Sequence, residues 1–426
     1  MADPPIPSGS PLRNVTADIE LEAQIRAAAR KPREVPPLVE GAFVLVTLLS
    51  AFCIGLIFGW GPFSKLLEAE GVYADRCVEG EELPCDSQTI FYAALYTFGT
   101  CALSFGGLPA GVLLDSYGPS LAAMVAGGMI GTGLLLFALL PAQGTPYAFI
   151  APFVCLGTGG IVTALTAFKS AGVFPRSASM LMTAVNVIFD ISATVPLITY
   201  ELYHRLGLSR ATIFTPYALY VYGLFGAWGV LWRRLEWRLN APQEESGAKE
   251  EASASAGAHG ASSAAPVAVE PITPLDSPQI ELRTVLTSPQ FVVGLLWFNI
   301  HQFRSNMYLG TAKDMLRSLG DADGRYMELL TASLAAAVPF IPLISTTTDW
   351  LGVAGSMQAV TVLATVHAVC ALVPSLAFQP LTFLVFAILR ASTFSVGSIF
   401  AARTFGFARL GTVYGLMQVQ LTEEPR

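Results

Sequence analysis

The chain has 426 residues, 53% of them hydrophobic and only 13% charged, with a net charge of −7 and a mean hydropathy of +0.56. A soluble globule carries about twice that charged fraction, so the composition excludes an ordinary water-soluble domain and implies a bilayer as solvent. The negative charge sits largely in loops, for instance Glu68, Glu70, Asp75, Glu79, Glu81, Glu82 and Asp86, and it argues against a nucleic-acid partner.

Residues 1–41 hold charges and prolines but no apolar segment followed by a small-residue cleavage site. They read as a cytoplasmic tail without a secretory signal, and the first span is expected to serve as its own insertion signal. Ten apolar stretches are each long enough to cross a ~30 Å hydrocarbon core as a helix. They lie at 42–63, 88–113, 120–140, 147–168, 178–199 and 211–232, then at 289–311, 326–348, 354–375 and 380–400. Between the two sets, 233–288 is rich in Ala, Ser, Gly, Pro and Glu and reads as a disordered cytoplasmic linker. After the tenth span only about half a crossing remains, so the second set, 289–426, is expected to be a partial bundle lacking two C-terminal spans.

With the amino terminus inside, the cytoplasmic segments carry about twice as many basic residues as the outer ones, the bias of the positive-inside rule. Cys77 and Cys85 then share an acidic external loop, where an oxidising compartment favours a disulfide between them. Cys53, Cys101, Cys155 and Cys370 lie within spans and read as small buried hydrophobes.

Six spans, a long polar loop and a second set of spans is the layout of major facilitator transporters, in which two bundles rock about a central site. The two sets also echo each other. Asp115 to Gly118 places Asp-x-x-Gly after the second span, and Asp349 to Gly352 does so after the eighth. Phe174-Pro175-Arg176 follows the fourth span and Phe407-Ala408-Arg409 the tenth. A short turn between antiparallel helices needs the backbone freedom of glycine, and the carboxylate before it can hold neighbouring helix ends. Asp115, Gly118, Asp349, Gly352, Arg176 and Arg409 are therefore candidate gating residues.

Several short motifs carry a resemblance to solute carrier family 43. They are Phe58-Gly59-Trp60, Pro109-Ala110-Gly111, Gly157-Thr158-Gly159-Gly160, Arg176-Ser177-Ala178-Ser179, Phe189-Asp190-Ile191-Ser192, and Gln302-Phe303-Arg304 with Tyr308-Leu309-Gly310. Apicomplexan amino acid transporters are similar as well. The resemblance implies an all-α polytopic protein of the major facilitator type that carries large neutral amino acids by alternating access. Two departures stand out: Gly61 separates Trp60 from Pro62, and Ser116 and Pro119-Ser120 occupy positions where the facilitator motif usually has basic residues after Asp115.

An ionisable group at membrane depth costs about 2.5 to 3.5 kcal/mol on insertion scales and usually marks a partner or an aqueous pathway. Asp190 lies about 18 Å into the fifth span, near the midplane, with Arg390 at comparable depth in the tenth and Arg304 in the outer half of the seventh. A free amino acid needs a donor for its carboxylate and an acceptor for its ammonium beside an apolar pocket. Arg304 or Arg390 is the expected carboxylate fork. The alternative for Asp190 is a permanent pair with an arginine that fixes packing.

Gln302 and His301 flank Arg304 with further polar groups, and His301 and His367 read first as packing residues. Gly159 and Gly160 serve either close helix packing or a break that frees backbone groups. Trp60 is a cavity wall or an interfacial anchor. Thr163 and Thr166 offer hydroxyls to a cavity or bond back to their own helix. No phosphate-cradling loop, metal-spaced Cys or His pair, or Ser/His/Asp set is present, so neither an enzyme nor a cofactor or metal is expected. Two other functions stay open, a proton-coupled carrier of organic solutes in which Asp190 titrates, and a fragment without transport activity. The membrane, plasma or internal, is left undecided.

Overall fold

The structure, a computed structural model, describes residues 35–78, 83–143, 147–239, 282–321 and 325–418, leaving aside the side chains of 313, 314 and 328. The amino-terminal tail to residue 34, most of the expected linker, three of the loop carboxylates (Glu79, Glu81 and Glu82) and everything after 418 lie outside the described residues. The chain divides into two units, 1–42 and 43–426. Of the first, the described part is the opening of a helix that begins at Pro37.

All described regular structure is helical. In chain order the longer helices are α1 (Pro37–Ala51), α2 (Trp60–Ala69), α3 (Asp86–Phe105), α4 (Gly107–Tyr117), α5 (Pro119–Leu139), α6 (Ile150–Lys169) and α7 (Ala178–Ser192). They continue as α8 (Val195–Leu206), α9 (Arg210–Leu235), α10 (Pro289–Ser318), α11 (Arg325–Ser333), α12 (Ile341–Ala371), α13 (Gln379–Phe405) and α14 (Leu410–Met417). Prolines at the start of α5, α8 and α10 occupy the first turn, where a missing N–H costs nothing. Ser209 and Ser288 cap α9 and α10, each accepting at 3.2 Å from a backbone N–H three residues on.

Among the described residues six stretches are long and apolar enough to cross a membrane, and α3 with α4, bent by 41°, makes a seventh. One of the six, Arg325–Ala371, spans 47 residues and holds two of the expected crossings, divided at Gly352. The helices α9 and α10, at 26 and 30 residues, are long enough but fall short in apolarity.

Two expected spans are shaped differently from the sequence reading. The first gives way after Ala51 to a turn and a 3-10 segment, Leu56–Phe58, before α2 restarts at Trp60; the break comes earlier than the Gly59 to Pro62 stretch. The seventh runs on to Ser318, so that Arg304 stands at the middle of α10.

In the first half α5 lies between α6 and α9. Phe63, Phe137, Phe153 and Phe214 meet there edge to face, with centroids 4.9 to 5.8 Å apart between Phe137 and the other three. Arg210 closes this core, 3.1 Å from Glu70 and lying over the rings of Phe137 and Phe149. Burial lifts the Glu70 carboxyl above its ordinary range, and Arg210 offsets part of that rise. The loop between α2 and α3 is closed by a disulfide between Cys77 and Cys85. In the second half α13 is the enclosed element, with Phe383 and Phe386 fully buried against Ala312 and Leu316 of α10 and Leu330 of α11.

Candidate functional site

Among the described residues the two halves meet at three aspartates, besides a hydrogen bond that Asn186 Nδ2 donates to Ser398 Oγ at 3.2 Å. The deepest of these aspartate contacts joins Asp190, near the middle of the helical stretch 175–206, to Arg390 of α13, with Nε 2.8 Å from Oδ1 and both side chains less than a tenth exposed. The Arg390 guanidinium lies 5.0 Å over the Phe394 ring, and its Nη1 has no hydrogen-bond partner among the described residues. Phe394 meets Phe189, which in turn meets Phe58 at 5.6 Å, so an aromatic path runs from the broken first span to α13. Trp60 begins α2 against Tyr96 and Phe153.

The break in the first span is held from two sides. The Gly55 N–H donates to Ser192 Oγ at 2.8 Å, two residues beyond Asp190. A side chain at Gly160 would come within 2.5 Å of the Ile54 carbonyl, so this glycine lets α6 back directly onto the break. Gly159 lies against Ile130 of α5 in the same way. The Thr163 and Thr166 hydroxyls donate to Gly159 and Val162 carbonyls of their own helix at 2.8 and 2.7 Å, which leaves neither proton for a cavity.

The other two contacts use the Asp-x-x-Gly turns. Gly118 and Gly352 both take the left-handed φ, +85° and +68°, that a side chain would strain. Asp115 pairs with Lys169 at the end of α6, 3.0 Å away, and reaches α14, accepting from the Thr412 N–H and hydroxyl at 2.8 Å each. A carboxylate at a helix N-terminus also meets the positive end of the helix dipole. Asp349 pairs with Arg403 of α13 and accepts from Ser179 Oγ at the start of α7, at 2.6 Å. Each aspartate of one half thus grips the start of a helix in the other. Beside the Asp115 contact, Gly107 and Gly111 of α4 pack on Gly415 and Gly411 of α14, so close that a Cβ at Gly111 would fall 2.3 Å from the Gly411 carbonyl.

The cations of these contacts are Lys169 and Arg403. Arg176 is exposed and Arg409 partly so, and neither pairs with an aspartate among the described ion pairs. Ser179 and Thr412 escaped the sequence reading although a signal existed: each follows its matched phenylalanine, Phe174 or Phe407, at the same offset. Arg304 stands apart from the central pair. Its Nη1 donates to the Ala364 carbonyl at 3.0 Å and to His367 at 3.3 Å, both on α12. Gln302 turns the other way, with Nε2 donating to Gln418 Oε1 at 3.3 Å.

No family model matches the sequence. Among curated proteins the chain is similar to Protein FMP42 of Saccharomyces cerevisiae, 28% identical over 39% of this chain and 34% of that one. It is similar to the Equilibrative nucleobase transporter 1 of Bos taurus, 21% identical over 85% and 83%. A third relative is the Large neutral amino acids transporter small subunit 3 of Homo sapiens, 28% identical over 32% and 26%. The match thus spans about a third of the first relative and most of the second. Among solved structures it follows the major facilitator proton:xylose symporter XylE, with TM-score 0.54, 14% identity and 89% and 87% coverage. It also follows the human organic anion transporter MFSD10, with TM-score 0.52, 15% identity and 91% and 92% coverage. The chain is a multi-pass membrane protein with the major facilitator fold. The resemblance to solute carrier family 43 is borne out at the level of these relatives.

Proposed function

We propose that this protein transports neutral amino acids by alternating access, with the Asp190 to Arg390 pair as the polar centre of its site. The observation that carries the reading is the unpartnered Arg390 Nη1 beside a buried carboxylate, at the junction of the two halves. A pair kept only for packing is expected to have its buried donors satisfied. A zwitterion supplies the complement: its carboxylate takes the free guanidinium edge and its ammonium the remaining lone pairs of Asp190. The rings of Phe58, Phe189 and Phe394 offer an apolar wall to the side chain. Trp60 and the glycines of α6 shape the broken first span around it, and Gln302 contributes from α10. The 42–232 and 289–426 segments act as the two bundles, and the Asp115 and Asp349 contacts hold them together at the end expected to face the cytoplasm.

A nucleobase is the second reading. It is favoured by the nucleobase transporter of Bos taurus, which matches 85% of this chain where the amino acid transporter of Homo sapiens matches 32%. A planar base would stack in the same aromatic path and present a donor and an acceptor edge to the pair. Uptake by proteoliposomes separates the two. Labelled leucine and phenylalanine entering saturably, without adenine and without acceleration by external acid, supports the first reading. Adenine uptake alone overturns it in favour of the second. Acid-driven uptake that vanishes in Asp190→Asn supports proton coupling instead.

A further inference from the structure

A second polar cluster shares no contact with the central pair. His301, Arg304 and Tyr308, spaced three and four apart, lie on one side of α10 and face His367 and Thr361 of α12. Arg304 Nη1 donates to His367 Nδ1, and a ring nitrogen that accepts carries no hydrogen. The neutral His367 therefore bears its proton on Nε2, an atom that is buried and has no partner among the described residues. Arg304 Nε and the Tyr308 hydroxyl are in the same position. His367 Nε2 points away from Arg304, on the far side of the ring, so the free donors on the α10 side are Arg304 Nε and the Tyr308 hydroxyl, one helical turn apart, and no described carboxylate pairs with the guanidinium.

The surroundings make that arrangement costly if it stays empty. His367 is only 3% exposed, packed between Tyr308 and Phe386 with the three ring centroids 4.6 to 5.3 Å apart. Arg304 sits at the middle of α10, where an unneutralised cation is expensive. The His301 side completes the frame. The Thr361 hydroxyl donates to the Met357 carbonyl and accepts from Trp297, so His301 Nε2 is the donor to it at 3.3 Å.

We propose that Arg304 and Tyr308, with the guanidinium oriented by His367 Nδ1, form a carboxylate-binding site separate from Asp190 and Arg390. The ligand group is a small monovalent carboxylate, either a free anion or the carboxylate of a transported solute. The site stands on Arg304 and its neighbours and does not need the amino acid reading of the central pair.

The test is the thermal unfolding midpoint of the purified full chain in detergent, titrated with sodium acetate at constant ionic strength. In an Asp190→Asn/Arg390→Gln double variant, which removes the central pair as a second acetate site, the midpoint is expected to rise saturably, and the rise to disappear when Arg304→Gln is added. With Tyr308→Phe added instead, which keeps the ring packing, the half-saturating acetate concentration should increase about tenfold, the loss of one hydrogen bond to a charged group. Leucine that competes with acetate in that double variant identifies the solute as the source of the carboxylate, and acetate binding indifferent to leucine identifies a free anion; both support the site. No saturable response in the double variant, or a response that survives Arg304→Gln, would overturn it.

Discussion

Asp115 and Asp349 occupy matched turns, yet they meet solvent differently. The side chains of Asp115 and Lys169 are 12% and 8% exposed, those of Asp349 and Arg403 52% and 25%. Asp115 also accepts from a backbone N–H and a hydroxyl of α14, and a row of glycines beside it brings two helices into backbone contact. Asp349 has Arg403 and one hydroxyl, in reach of water. A buried pair with its lone pairs satisfied is held in a low local dielectric, whereas an exposed pair exchanges with water and is screened by salt. The same motif therefore makes a firm contact on one side and a soft one on the other.

Removing the firm contact should cost most. Asp115→Asn leaves Lys169 buried without its counter-ion, and breaking one partner of a buried pair costs about 3 to 5 kcal/mol. Thermal unfolding in detergent should register that loss as the largest drop of the set. Gly111→Ala comes next, because its Cβ would meet backbone at Gly411 and α4 and α14 must part, at about 1 to 3 kcal/mol for an overpacked contact. The same assay reads it, and Gly111→Ser should behave alike. Asp349→Asn should cost about 1 kcal/mol or less, as exposed pairs do, and the cost should shrink further in high salt. Arg176→Ala should stay within about 0.5 kcal/mol of the parent, since Arg176 is exposed and takes no part in either contact. A large effect of Arg176→Ala would move the latch cation back to the position that the sequence pattern favoured.

What the sequence made legible is what repeats or what is costly. The apolar stretches located the helices, and the two Asp-x-x-Gly turns were visible because glycine was required twice at one depth. Asp190 and Arg390 stood out as charges within apolar spans. That Asp190 could pair with an arginine was legible, but not that the arginine is Arg390, because 200 residues separate them and no local pattern records a contact between halves. The first-span break at Gly55 was not legible for a related reason: Gly55 is held by Ser192 and Ile54 by Gly160, partners from other helices. The seventh span was read as ending at 311 because the charges after it ended the apolar run, while the helix itself continues to Ser318. Lys169 and Arg403 were read only for orientation, although their places at the ends of α6 and α13 set them beside the aspartates.

The measurement that bears most directly on two unequal contacts holding the halves together is a distance between them. Spin labels at Tyr117 and Ala408, both exposed, report the separation of the α4 end from the start of α14, in a chain whose four free cysteines are replaced by serine. Double electron–electron resonance should give one short distance in this background. Asp115→Asn should populate a longer distance strongly, and Asp349→Asn only weakly. Equal populations in the two variants, or a larger shift from Asp349→Asn, would contradict the account.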